Sequence, residues 1–157
     1  MNLKRRKAMD FFEIQRCVLV RDGQMEYDAE NFTVTCSDDL AMVGRRLGID
    51  SCAEEYFVMM CFNAKGRIIA LHEISHGDIS SSCAHPRDVF KRALLNNAAS
   101  IAIMHSHPSG DSKPSQQDIA TTKRLMEAGE ILGVPVIDHI ILGDENYSSM
   151  KASGIIT

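Results

Sequence analysis

The chain has no two cysteines at C-x-x-C spacing: its five, Cys17, Cys36, Cys52, Cys61 and Cys83, are odd in number and scattered. Neither a cysteine zinc site nor a disulfide framework is suggested by this pattern, so free thiols are expected. Long apolar runs are missing too. The apolar stretches are strand-sized and broken by charge, and Lys4-Arg5-Arg6-Lys7 is not followed by the apolar segment of a secretory signal. A cytoplasmic protein without a membrane span is therefore expected. Nor is there an excess of positive charge, since 17 Lys and Arg stand against 21 Asp and Glu for a net charge of −4. That balance gives no general attraction to a phosphate backbone, and the one basic run lies where chains are usually solvated tails. Nucleic acid is not an expected partner. No repeat, low-complexity tract or linker interrupts the chain, and 157 residues with 45% hydrophobic content suffice for one substantial core.

Residues 1 to about 36 mix short apolar runs (Phe11-Phe12, Cys17 to Val20) with charges, and read as extended segments broken by an Asp22-Gly23 turn. Residues 1–37 are thus expected to be an N-terminal extension of packed strands ahead of a domain over 38–157. Ser37 is placed to cap a helix through Asp38, Asp39, Leu40, Val43 and Leu47, ending at Gly48. Tyr56 to Phe62 and Arg67 to Ile74, joined by Asn63-Ala64-Lys65-Gly66, have the form of a β-hairpin. Pro86 opens a helix whose apolar positions are Val89, Phe90, Ala93, Leu94 and Ala98. A strand from Ser100 to His107 breaks at Pro108-Ser109-Gly110. The next helix has Ile119, Thr122, Leu125, Met126 and Leu132 on one side, and Gly133-Val134-Pro135 closes it. A last strand, Val136 to Leu142, leads to a polar end. The alternation predicts a single-domain α/β fold, a mixed β-sheet flanked by helices.

Side chains alternate along a strand, so His105 and His107 share a face with Ile101 and Ile103 while Ser106 takes the other. Two imidazoles at a strand end are weak evidence alone. After the loop, however, Pro114-Ser115 starts a helix and Asp118 lies in its first turn, placed to point back at the histidines. His, His and Asp make three ligands, the number in catalytic zinc sites, which bind nitrogen and oxygen donors at about 2.0 to 2.2 Å and keep a fourth position for water. The competing account of Ser115 and Asp118 is a capping pair, S-x-x-D, each side chain meeting a free backbone donor. The two accounts can coexist.

His105-Ser106-His107-Pro108, followed by Ser115 and Asp118, matches H-x-H-P-x6-S-x2-D without a gap, and here the chain resembles the JAMM (JAB/MPN+) metallopeptidases. The longer string H-S-H-P-S-G-D-S-K-P-S-Q-Q-D is similar to the RadC-like JAB domains. So are Pro86 to Lys91 and Asp138-His139-Ile140-Ile141-Leu142-Gly143. The resemblance covers roughly residues 38–157 and implies an MPN/JAB fold of cytidine-deaminase-like type. It also implies a zinc-dependent hydrolase of peptide or isopeptide bonds, with Zn2+ on His105, His107 and Asp118. Aligning E-Y-F-V-M-M-C-F-N places the family's general base for a zinc-activated water at Glu55, with Glu54 as the adjacent choice. Ser115 would hydrogen-bond the oxyanion. The substrate implied is a peptide or protein of unspecified identity, and oligomeric state is left open. Two departures stand out. Ser106 replaces the family's usual Asn, at a position facing away from the metal. The first 37 residues are also too short and strand-like for the helix-hairpin-helix region many RadC proteins carry. The alternatives are a non-catalytic MPN-type interaction module and a protein with a DNA-repair or DNA-processing association, the latter disfavoured by the acidic charge.

His72-Glu73-Ile74-Ser75-His76 also fits H-E-x-x-H, which needs a helix to bring residues i and i+4 together. These residues follow a strand-like run. On a strand they would span about 13 Å, too far for one ion, so the two histidines are expected as polar residues on its outer side. Cys83 and His85 offer a thiol-nucleophile reading that sequence proximity does not support. His139 is expected as a buried, hydrogen-bonded histidine, with a role beside the zinc as the second account. The methionines are core filling.

Overall fold

Apart from one tyrosine hydroxyl, the run YFVMMCF has no side chain to offer water, and a strand of that composition must be covered on both faces. In the computed structural model, which describes residues 33–77 and 84–157, it becomes β1 (Tyr56–Phe62) within a five-stranded sheet of order β2-β1-β3-β4-β5. The turn after it is held by Asn63 Oδ1, which accepts from the backbone N–H groups of Lys65 at 2.9 Å and Arg67 at 3.1 Å, and β2 (Ile68–His76) returns antiparallel. On its other side β1 pairs antiparallel with β3 (Ser100–Ser106). β3 runs parallel to β4 (Val136–Leu142), a pairing that needs a crossover, which α3 (Gln116–Leu132) provides. A short β5 (Tyr147–Ser149) adds antiparallel to β4, where a polar end was expected. The expected strands of residues 1–36 lie outside the described residues as far as position 32.

Helices cover both faces. α1 (Ser37–Leu47) packs Leu40 and Val43 against Val58, Met60 and Met104. On the opposite face, Val89 and Phe90 of α2 (Pro86–Leu95) and Leu125 of α3 meet Phe57, Met59 and Ile103. The expected α/β fold, one mixed sheet between helical layers, is therefore the one observed. Cys61 lies in the second core, where burial pushes its thiol up to about 12. It stays protonated and serves as packing.

Two boundaries differ from expectation. The N-cap of α1 is Cys36 and not Ser37, because the Asp39 carboxylate accepts from the Thr35 N–H at 2.8 Å and the Cys36 N–H at 3.2 Å, drawing the helix start back by one residue. Leu132 is 43% exposed although it continues the Leu125 face. The chain turns at Gly133, and Val134, 4% exposed, fills that end of the core. No helix among the described residues is long and apolar enough to cross a membrane.

Candidate metal centre

The antiparallel register that sets Phe57 opposite His105 brings the start of β1 to the sheet end where β3 finishes. Glu55, which directly precedes β1, thus lies at the same end as His105 and His107. β3 stops at Ser106, one residue short of expectation, yet the His107 N–H still donates to Leu142 O at 2.9 Å, so β4 guides the second histidine beyond the strand. The loop that follows turns back on itself at Gly110, whose φ of 78° disfavours residues with a Cβ. Ser115 is the N-cap of α3 and Asp118 its third residue, which faces the strand end.

These elements bring His105, His107 and Asp118 together, with one ligand atom from each inside a mutual 4.8 Å; among the described residues no other three such side chains converge this way. The two Nε2 atoms are 2.9 Å apart, His105 Nε2 is 3.3 Å from Asp118 Oδ1, and His107 Nε2 is 3.5 Å from Asp118 Oδ2. Donors at about 2.0 to 2.1 Å around a tetrahedral zinc would be roughly 3.3 Å apart. The chemistry of the donors fits as well. His107 Nδ1 is 2.7 Å from the Asp111 carbonyl, which can only accept, so Nδ1 carries a hydrogen and Nε2 is the nitrogen turned toward the cluster, the one a metal would take from the neutral ring. His105 Nδ1 is likewise engaged, 2.7 Å from His139 Nε2.

Charge follows the same pattern. Burial alone would raise the Asp118 carboxyl, but hydrogen bonds from His105, His107 and Ser115 carry it far below the usual carboxylate range. A hydrogen bond to Asp118 raises His107 against the opposing effect of its burial, and the Asp111 carbonyl and the charges of Asp118 and Glu55 add to the rise. Glu55 is therefore within electrostatic reach of His107, while the charge of its neighbour Glu54 is felt at Tyr56 and His76. Ser106 sits on the other side of the sheet and its Oγ accepts from the Tyr56 N–H at 3.2 Å, fastening the strand end that carries Glu55.

The capping account of Ser115 and Asp118 is realised together with the cluster. Asp118 N–H donates to Ser115 Oγ at 3.1 Å, and Asp118 Oδ2 accepts from the Ser115 N–H at 2.7 Å and the Ser115 hydroxyl at 2.6 Å. Oδ2 thus ties off the helix and Oδ1 is left to His105. His139 is the buried, hydrogen-bonded histidine expected: it is fully buried, it is bonded to His105, and burial keeps it well below the usual histidine value. Thr122, expected only as part of an internal helix face, lies 2.6 Å from His139 Nδ1. The available signal was a hydroxyl within an otherwise apolar stripe, four residues after Asp118.

The other histidines lie apart. His72 and His76 are on β2, where His72 Nε2 is 2.7 Å from Asn96 Nδ2 and His76 Nδ1 is 2.6 Å from Glu73 Oε1. His72 is half-buried against the end of α2, a correction to the expected outer-side position, because Asn96 of that helix end supplies a polar partner inside. His85 is the N-cap of α2 and accepts from the Arg87 N–H at 3.1 Å; Cys83 lies outside the described residues.

Residues 25–155 match the RadC-like JAB domain family. Among curated proteins, the chain is 45% identical over 139 residues to a UPF0758 protein of Caldanaerobacter subterraneus, covering 87% of this chain and 58% of the relative. It is 49% identical over 102 residues to a UPF0758 protein of Desulforamulus reducens, covering 65% of this chain and 45% of the relative. A UPF0758 protein of Bacillus cereus is 48% identical over 103 residues, 66% of this chain and 46% of the relative. The chain therefore spans about half the length of the curated relatives it matches.

Proposed function

The chain belongs to the RadC-like JAB domain family, and from that premise we propose that it is a zinc-dependent hydrolase of peptide or isopeptide bonds. One observation carries the reading: two histidines present their Nε2 atoms 2.9 Å apart toward a carboxylate on a helix first turn, at the sheet end where Glu55 precedes β1. His105, His107 and Asp118 would hold the ion. When bound, zinc supplies Lewis acidity that brings the pKa of a water toward about 7 and polarises an amide carbonyl.

The remaining steps fall to the side chains. Glu55 takes the proton of the attacking water and delivers it to the leaving amine. The Ser115 hydroxyl donates to the developing oxyanion, for which it must turn from Asp118 Oδ2; the Ser115 N–H, at 2.7 Å from the same oxygen, keeps the helix start in place meanwhile. Asp111 holds His107 through its carbonyl, so this ligand does not swing as substrate enters. The substrate is expected to be a peptide or protein approaching the exposed side where Ser115 lies.

The test is hydrolysis of a fluorogenic peptide library and of isopeptide-linked peptides by zinc-loaded protein. Glu55→Gln should lower turnover by about 10^2- to 10^4-fold, the range for loss of a general base, while keeping its zinc. Turnover unchanged in Glu55→Gln or in His107→Ala would refute the reading.

A further inference from the structure

His105, His139 and Thr122 form a relay closed to water: their residues are 1%, 0% and 0% exposed. The direction of its hydrogen bonds follows from one contact. Thr122 Oγ1 lies 2.6 Å from the carbonyl oxygen of Asp118, and two oxygens so close need a proton between them. A carbonyl has none to give, so the single hydroxyl hydrogen of Thr122 points at Asp118. Met150 Sδ, at 3.4 Å, is too weak an acceptor to compete for it.

Toward His139 the hydroxyl can then only accept, which places a hydrogen on His139 Nδ1, at 2.6 Å. The other nitrogen of this neutral ring, Nε2, is left with a lone pair and takes the Nδ1–H of His105 at 2.7 Å. In its neutral form His105 therefore carries its hydrogen on Nδ1 and keeps Nε2, which faces Asp118 and His107, free for a metal. Phe57 fixes the ring planes, stacked on His105 at 6.1 Å between centroids and edge-on to His139 at 5.7 Å.

We propose that Thr122 and His139 are positioning residues that hold His105 in the one neutral tautomer able to bind a metal through Nε2. The consequence for metal binding rests on the reading above; the tautomer itself does not. His107 is set directly by a backbone carbonyl, whereas His105, surrounded by side chains, is set at two removes by α3. The same helix turn provides a ligand, Asp118, and the group that prepares its neighbour. Thr122 and His139 are both shut off from bulk solvent, so a lost Thr122 hydroxyl is not replaced from the surface.

Nitrogen-15 NMR of the histidine rings in metal-free protein reads the tautomer, and competition with a chromophoric chelator reads zinc affinity. The wild type should show His105 with hydrogen on Nδ1. Thr122→Val, nearly equal in shape, should move His105 toward the Nε2–H form and weaken zinc by about 10- to 100-fold, the usual cost of losing a partner behind a metal ligand. Thr122→Ser should restore both. An Nε2–H tautomer in the wild type, or a Thr122→Val protein with tautomer and affinity unchanged, would overturn the relay. A wild type with the expected tautomer that takes up no zinc supports the relay and instead overturns the hydrolase reading.

Discussion

Ser115 caps α3 and is proposed to serve the oxyanion, and the two roles separate by measurement. Its side chain caps α3 by accepting from the Asp118 N–H, and its exposed hydroxyl lies 2.6 Å from Asp118 Oδ2, beside the cluster. Ser115→Ala should cost about 1 kcal/mol of folding stability, the usual value for a lost N-cap, seen as a lower thermal midpoint. Turnover should fall by roughly 10^2-fold or more with zinc content unchanged, since Asp118 is still held by a backbone N–H. His72 illustrates the opposite kind of histidine. Burial, with the Arg92 guanidinium adding, holds it below its ordinary value of 6.5. It stays neutral in the fold while the unfolded chain takes up a proton, so its effect is to reduce stability as pH falls below about 6.5. Urea midpoints at neutral and mildly acid pH should therefore fall less steeply for His72→Gln than for wild type; parallel curves would contradict this.

At the scale of elements, the loop between β3 and α3 is pinned by the end of β4. A Cβ built on Gly143 would strike the carbonyl oxygen of Gly110 and lie 3.0 Å from the Ser112 nitrogen, both backbone atoms that cannot swing aside. Gly143→Ala should destabilise the fold by about 1 to 3 kcal/mol in urea titration. It should also weaken zinc retention against a chelator, because the displaced loop carries the Asp111 carbonyl that orients His107. Most elements were legible in the sequence for reasons the structure makes plain. The apolar run of β1 had to be buried on both faces, Pro86 sits at the first position of α2, and Ser115 caps α3. β5 was not legible, since Tyr147-Ser148-Ser149 has no apolar alternation and becomes a strand only through pairing with Ile140 to Leu142. The start of α1 was misplaced by one residue because Asp39, three residues beyond Cys36, outweighs the capping preference of Ser37.

For the whole molecule, the site depends on the sheet more than on any one segment. His105 and His107 come from β3 and its extension, Asp118 from α3, and Glu55 from the approach to β1, fifty positions earlier than His105. The three candidate ligands could be picked from spacing because they lie within fourteen positions of one another, His105 to Asp118. Glu55 could not be found that way, since only the antiparallel register of β1 on β3 explains why a charge before a strand ends up near them. Thr122 escaped for a similar reason: its partner, His139, is seventeen positions away on a parallel strand.

The central claim is that this convergence is a zinc site, and elemental analysis of zinc per chain tests it most directly, on wild type, His107→Ala and His72→Ala purified side by side. About one zinc in wild type and His72→Ala, with almost none in His107→Ala, is the result expected of a three-ligand site. Zinc retained by His107→Ala, zinc lost from His72→Ala, or none in any of the three even after zinc is supplied, would contradict it.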